Sequence, residues 1–215
     1  MQSFISETLS KILQRHSSLE DVVIILPSQR AGVFVREACK HQIKVGFLPL
    51  IYSVEDFVAE ISGFEKIDSI QLLFYFYEVY KSIELEPQTF DLFSNWAQTA
   101  LQDFNEVDQY LIDSKDLFTY VRDIKRLQKW SVEDQIQETE MMKTHYSFVE
   151  QLSKFYKAFS ELLISKKKGY QGLLYRQAIN KIEEYLNKNS STSFYFLGFN
   201  ALTKSEEVLI QKILQ

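Results

Sequence analysis

Val22-Val23-Ile24-Ile25-Leu26-Pro27-Ser28-Gln29-Arg30-Ala31-Gly32 (22–32) is the stretch that decides the fold. Five aliphatic residues in a row leave no wet face. Residues 22–26 therefore read as a strand buried on both sides, which is the habit of a parallel sheet. Pro27-Ser28 ends the strand. The Ser28 side chain can accept from the unpaired N–H groups of a helix starting near Gln29, along which Val33, Phe34, Glu37, Ala38 and His41 follow at helical intervals. Strand, turn and helix in this order open an α/β domain.

Downstream, Val45 to Ile51 is a second apolar stretch, broken by Gly46 and Pro49, and reads as a short strand leading to Tyr52. Ser53-Val54-Glu55-Asp56 has the cap and first-turn acids of a helix start; Phe57, Val58 and Ile61 face inward and Gly63 stops the helix. Upstream, Phe4, Ile5, Leu9, Ile12 and Leu13 mark an amphipathic helix that docks on the body. The same residues lack the charged start, apolar stretch and cleavage site of a signal peptide.

From Asp68 to about Lys188 only helical periodicity is present. Helices are expected from Asp68 to Ile83, from Pro87 onward through Phe90, Phe93, Trp96, Ala97, Leu101 and Phe104, over 116–130, over 144–165, and from Gly172 to Leu186. Lys166-Lys167-Lys168-Gly169 is a break, and residues 187–193 form a polar linker. Phe194-Tyr195-Phe196-Leu197 then reads as a further buried strand closed by Gly198. Thr203-Lys204-Ser205-Glu206 is a capping box for a helix with Val208, Leu209, Ile213 and Leu214 inward. The expected fold is α/β and predominantly helical: a small parallel sheet in a lobe made of 1–65 and 189–215, with an inserted helical subdomain over 66–188. Two or three strands are few for a doubly wound sheet, and the last helix carries no stop signal. A fragment whose remaining strands follow Gln215 is expected; a small complete sheet flanked by helices is the alternative.

Composition narrows the class. The chain has 215 residues, and only 6 Gly and 3 Pro, too few for the tight turns of a sandwich or barrel. The single Cys excludes an internal disulfide and suits a reducing cytoplasm. A net charge of −5 argues against a nucleic-acid coat while leaving room for a local basic patch. The longest apolar run, LLFYFY at 72–77, is far short of the roughly 20 residues a membrane span needs.

The turn after the first strand is where a nucleotide-binding protein places its phosphate loop. That loop needs glycines so that backbone N–H groups can wrap the phosphates, a Lys for their charge and a Ser or Thr for Mg²⁺. Pro27–Gly32 has one Gly and no Gly-Lys-Ser/Thr, although Arg30 at the helix N-terminus can meet a phosphate. The strand at 194–197 ends in Gly198-Phe199-Asn200, with no acid to hold Mg²⁺. Both absences together argue against ATP hydrolysis; a nucleotide hydrolase with an unusual loop is a competing reading. His16, His41 and His145 have no metal-ligand spacing, and Cys39 has no assignable base. The acids Asp103, Glu106 and Asp108 lack the Gly and terminal Glu of a calcium loop and read as a solvated helix end.

Two features can meet nucleic acid. Arg122, Lys125, Arg126 and Lys129 fall at i, i+3, i+4 and i+7 and share one helix face that can track phosphates; Lys166, Lys167 and Lys168 can add to it. An ordinary solvated face is the plainer reading. The run Phe74-Tyr75-Phe76-Tyr77 with Tyr80 can stack bases, but at helical spacing it reads first as core.

Five segments in order, VVIILPSQRAGVFVREA (22–38), FLPLIYSVEDFV (47–58), WAQTALQDFNEVDQYL (96–111), GYQGLLYRQA (169–178) and FYFLGFNALTKSEEVLIQKI (194–213), resemble the N-terminal part of a bacterial family of PD-(D/E)XK nuclease proteins. These are similar to the AddB subunit of the AddAB helicase–nuclease and, more distantly, to RecC. The resemblance implies a degenerate P-loop-helicase-like lobe interrupted by a helical subdomain, in a subunit of an ATP-dependent exonuclease of DNA double-strand-break repair and recombination. It implies no catalytic, cofactor-binding or metal residue in this chain, Mg²⁺ only for a nuclease domain further along, an AddA-like helicase partner, DNA contact by Arg30 and the 122–129 stripe, and a cytoplasmic location without membrane. The alternative of a different class is a stand-alone helical protein–protein interaction module without nucleic acid. An open reading frame that continues past Gln215 into strands and a late Asp…Glu-x-Lys cluster distinguishes the two.

Overall fold

A computed structural model describes the backbone of residues 4–114, 117 and 140–215, and the side chains of this set outside 140–150. The described chain is mainly helical with a small parallel sheet, and it divides into two compact units: Met1–Gly63 with Gln177–Gln215, and Phe64–Arg176.

In the first unit, α1 (Phe4–Arg15) leads into β1 (Val22–Leu26), α2 (Gln29–Gln42), β2 (Leu50–Ser53) and α3 (Val54–Ser62); β5 (Ser193–Phe196) and a helix at Lys204–Leu214 return from the far end of the sequence. The sheet order is β2-β1-β5 and both pairings are parallel, Ile24 lying opposite Ile51 on one side and Tyr195 on the other. All five residues of β1 are buried because the strand is central and both faces are covered. Val22, Ile24 and Leu26 pack with Leu9 and Ile12 of α1 and with Val35, Ala38 and Cys39 of α2. On the other side of the unit, Phe57 of α3 meets Tyr52, Tyr185 and Phe194 at ring separations of 5.9 to 6.0 Å.

Local chemistry sets the boundaries. Ser28 and Ser53 cap α2 and α3, accepting from Ala31 N and Asp56 N. Gly63 closes α3 in the left-handed conformation, φ 67°, which costs a glycine nothing. Thr203 and Glu206 form the capping box of the last helix.

Four expectations change in this unit. The second strand, expected over Val45 to Ile51, is β2 at Leu50–Ser53, and Val45, Phe47 and Leu48 before it are exposed. Val33 and Phe34 are 61 % and 57 % exposed; α2 turns the small residues Gly32, Ala38 and Cys39, with Val35, to the core. A helix laid on a sheet approaches closely through small side chains, and a Cβ on Gly32 would already sit 3.4 Å from Ile51. The expected second buried strand, β5, is half-exposed because it lies at the sheet edge. Leu214 points outward, 74 % exposed.

In the second unit, α4 (Ser69–Ile83), α5 (Phe90–Gln109) and α6 (Glu140–Lys166) pack around an aromatic core, and α7 (Gln171–Lys188) begins here and continues beyond the unit boundary at Arg176. With α7 placed, the helix at Lys204–Leu214 is α8. Asp68 caps α4, its carboxylate accepting from Gln71 N at 2.8 Å. Phe76 is fully buried, and its ring contacts Phe93, Trp96, Phe104, Phe155 and Phe159. The stretch read as wholly helical also holds half of a two-residue parallel bridge: β3 (Glu65–Lys66) pairs with β4 (Lys168–Gly169), the residues expected only to break a helix. Gly172, in the first turn of α7, lies against α5 so closely that a Cβ would come within 2.2 Å of Asn105 O.

Candidate functional site

In an open parallel sheet, ligands meet the carboxyl ends of the strands, where the following helices start. Here those ends are Leu26, Ser53 and Phe196. Only Pro27 and Ser28 separate β1 from α2, so no loop exists to wrap a phosphate chain. Gly32, the one glycine nearby, lies inside α2 on its buried side, where it serves packing.

The polar side chains at these strand ends satisfy each other. Ser53 Oγ donates to Asp56 Oδ2 at 2.6 Å, and Gln29 Nε2, from the first turn of α2, donates to both Asp56 oxygens at 3.2 and 3.3 Å. One carboxylate thus sits between the first turns of two helices, where the positive ends of their dipoles favour an anion. Arg30 is exposed beside this clasp and has no ion pair among the described residues. Beyond β5, Gly198 takes a left-handed φ of 79°, and Phe199 and Asn200 lead to the cap of α8; no acid follows the strand.

The other residues weighed as chemistry have structural partners. His16 Nε2 lies 2.7 Å from Tyr195 Oη, and the exposed His41 lies 3.4 Å from Glu37. Cys39 is buried, and burial pushes its thiol up, away from the thiolate that nucleophilic attack requires. Among the described residues no group of three or more His, Cys, Asp or Glu could hold a metal ion. No described helix is long and apolar enough to cross a membrane.

In the second unit the aromatic run is core, as its spacing suggests: Phe76 and Tyr80 are buried, Tyr77 Oη donates to Gln88 O, and only Phe74 is exposed, stacked on Phe90. Lys166 lies over the Tyr75 ring and Lys168 pairs with Glu65 at 3.5 Å. The stripe Arg122, Lys125, Arg126 and Lys129 lies outside the described residues, as does the expected 116–130 helix apart from Leu117.

The solvated helix end expected at 103–108 is overturned at Asp108. This carboxylate is 0 % exposed and accepts from Tyr156 Oη at 2.6 Å, Tyr170 Oη at 2.5 Å and Arg176 Nε at 2.5 Å. Arg176 Nη2 also donates to Val107 O and Ile112 O, tying down the chain where it leaves α5. The signal was in the sequence: Asp108 follows Ala97, Leu101 and Phe104 on the apolar row of its helix. Burial first, and then the Asp108 charge, pushes both tyrosine hydroxyls well above the ordinary range near 10. Every member has a partner, so the cluster is a structural clamp.

Against known proteins, no family model matches the chain and no curated protein matches it.

Proposed function

We propose that this chain is a non-catalytic, helicase-like lobe of an AddB-type exonuclease subunit acting in double-strand-break repair. It serves as a scaffold that contacts DNA and holds an AddA-like helicase partner. The observation that carries the reading is the β2-β1-β5 parallel sheet, whose outer strand returns after more than a hundred residues, largely helical where described, and whose first turn is two residues with no phosphate-binding group. Such a sheet supports the reading of a mononucleotide-type lobe without the groups that grip triphosphate. The five resembling segments support the family, and the i, i+3, i+4, i+7 spacing of Arg122, Lys125, Arg126 and Lys129 supports phosphate contact beside Arg30.

The test belongs in the complex with the helicase partner. Charge reversal of Arg122, Lys125, Arg126 and Lys129 is expected to weaken duplex-end binding and to flatten its dependence on salt. Unchanged affinity and salt slope remove the stripe from the reading, and failure to co-purify with any helicase removes the scaffold role.

A further inference from the structure

The helical unit carries a groove that the proposed function does not use. It lies between the first turn of α4 and one side of α5, with a volume of about 570 Å³, which is within the usual size of ligand sites. Ile70 and Leu73 supply an apolar wall. Along α5, Gln98, Gln102, Glu106 and Gln109 form a polar edge.

The side-chain amides of Gln98, Gln102 and Gln109 have no hydrogen-bond partner among the described residues, so each presents a donor and an acceptor. Four helical residues rise about 6 Å, close to the roughly 6.6 Å that separates every second peptide unit of an extended chain. Gln98, Gln102 and Glu106 stand at this repeat, so two amides and one carboxylate acceptor can meet a peptide backbone, which offers both bonding roles at each unit; Gln109 lies three residues further on. Among the described residues no Lys, Arg or His lines the groove, while Glu106 does. Burial first and Glu106 second raise the neighbouring Asp103 carboxyl, so the negative field there is felt by a group one turn away. Phosphate backbones are repelled by such a surface. Sugars lack their flat platform, because Tyr170 is buried.

We propose that this groove binds an extended polypeptide segment of a partner protein, with a Lys or Arg set against Glu106 and apolar side chains against Ile70 and Leu73. The inference does not depend on the proposed function, since an interaction surface of this kind suits a chain of either class.

Panning a random nonapeptide display library on the purified full chain tests it. Enrichment of sequences with a basic residue flanked by apolar ones is expected. Synthetic copies are expected to bind the Gln98→Ala/Gln102→Ala and Glu106→Gln variants at least five-fold more weakly than the parent, and to bind Glu86→Gln, an exposed acid outside the groove, equally well. Matching circular dichroism spectra show that the variants fold. No enrichment, enrichment of acidic sequences only, or equal binding to all variants overturns the proposal, as does displacement of the peptide by single-stranded DNA.

Discussion

The two units dispose of polar groups in opposite ways. In the helical unit a carboxylate, Asp108, is taken entirely out of water and surrounded by three side-chain donors. In the α/β unit the comparable carboxylate, Asp56, stays at the surface and shares one glutamine and one serine between two helix starts. The first arrangement ties secondary elements together and leaves no capacity for a ligand. The second occupies the strand ends where a nucleotide-binding α/β protein keeps its phosphate loop. Chemistry-like residues in both units are thus consumed by the protein itself, but their energetic weights differ, because a lost partner is costly only where water cannot replace it.

The largest effect is therefore expected from the helical unit. Asp108→Ala leaves Arg176 and two tyrosine hydroxyls without their acceptor and should cost about 3–5 kcal/mol. Phe76→Ala opens a cavity among five aromatic rings and should cost about as much, roughly 3–5 kcal/mol. Urea midpoints at constant m-value measure both. A loss below 1 kcal/mol for Asp108→Ala would mean that the clamp is not a buried unit. Phe34→Ala, on the exposed side of α2, is the matching probe in the α/β unit and should shift stability by no more than about 0.5 kcal/mol. A larger loss there puts the outward face of α2 against something in solution.

The alkaline limb sharpens the contrast. Tyr156 and Tyr170 hold their protons in the folded state beyond the pH, about 10, at which unfolded tyrosines release theirs. Above that pH the unfolded state binds fewer protons, so stability falls as pH rises, while below it the contribution is complete. Tyr156→Phe/Tyr170→Phe should flatten this fall between about pH 10 and 11; an unchanged slope contradicts the assignment.

The first strand, the last strand and the caps were readable from neighbours in sequence. Ser28, Ser53, Asp68 and Thr203 act within their own first turns, and the aliphatic run at 22–26 declares its own burial. What could not be read depends on distant partners. The β3–β4 bridge joins residues about a hundred apart, and the close approach of α2 to the sheet favours Gly32 and Ala38 over the larger Val33 and Phe34 that hydropathy prefers. At the site, the missing Gly-Lys-Ser/Thr was legible because a motif is local. The Gln29–Asp56 clasp was not, because it joins two different helices.

A small stability effect is also expected at the clasp. Ser53→Ala removes the cap of α3 and one donor to Asp56 and should cost about 1 kcal/mol. Gln29→Ala, whose bond to Asp56 is exposed, should cost less than half of that. If Gln29→Ala costs more than Ser53→Ala, the carboxylate is held chiefly from α2 and the order of the two contacts is reversed.

The strand–turn–helix at 22–42 is expected not to grip triphosphate. Thermal unfolding of the full chain across a millimolar range of Mg-ATP measures this directly. A ligand at a hundred times its dissociation constant adds about 2.7 kcal/mol, or roughly 5–10 °C in Tm for a protein of this size. The account predicts a Tm that does not move with nucleotide; a saturable rise of several degrees, abolished by substitutions at Ser28 or Arg30, would contradict it.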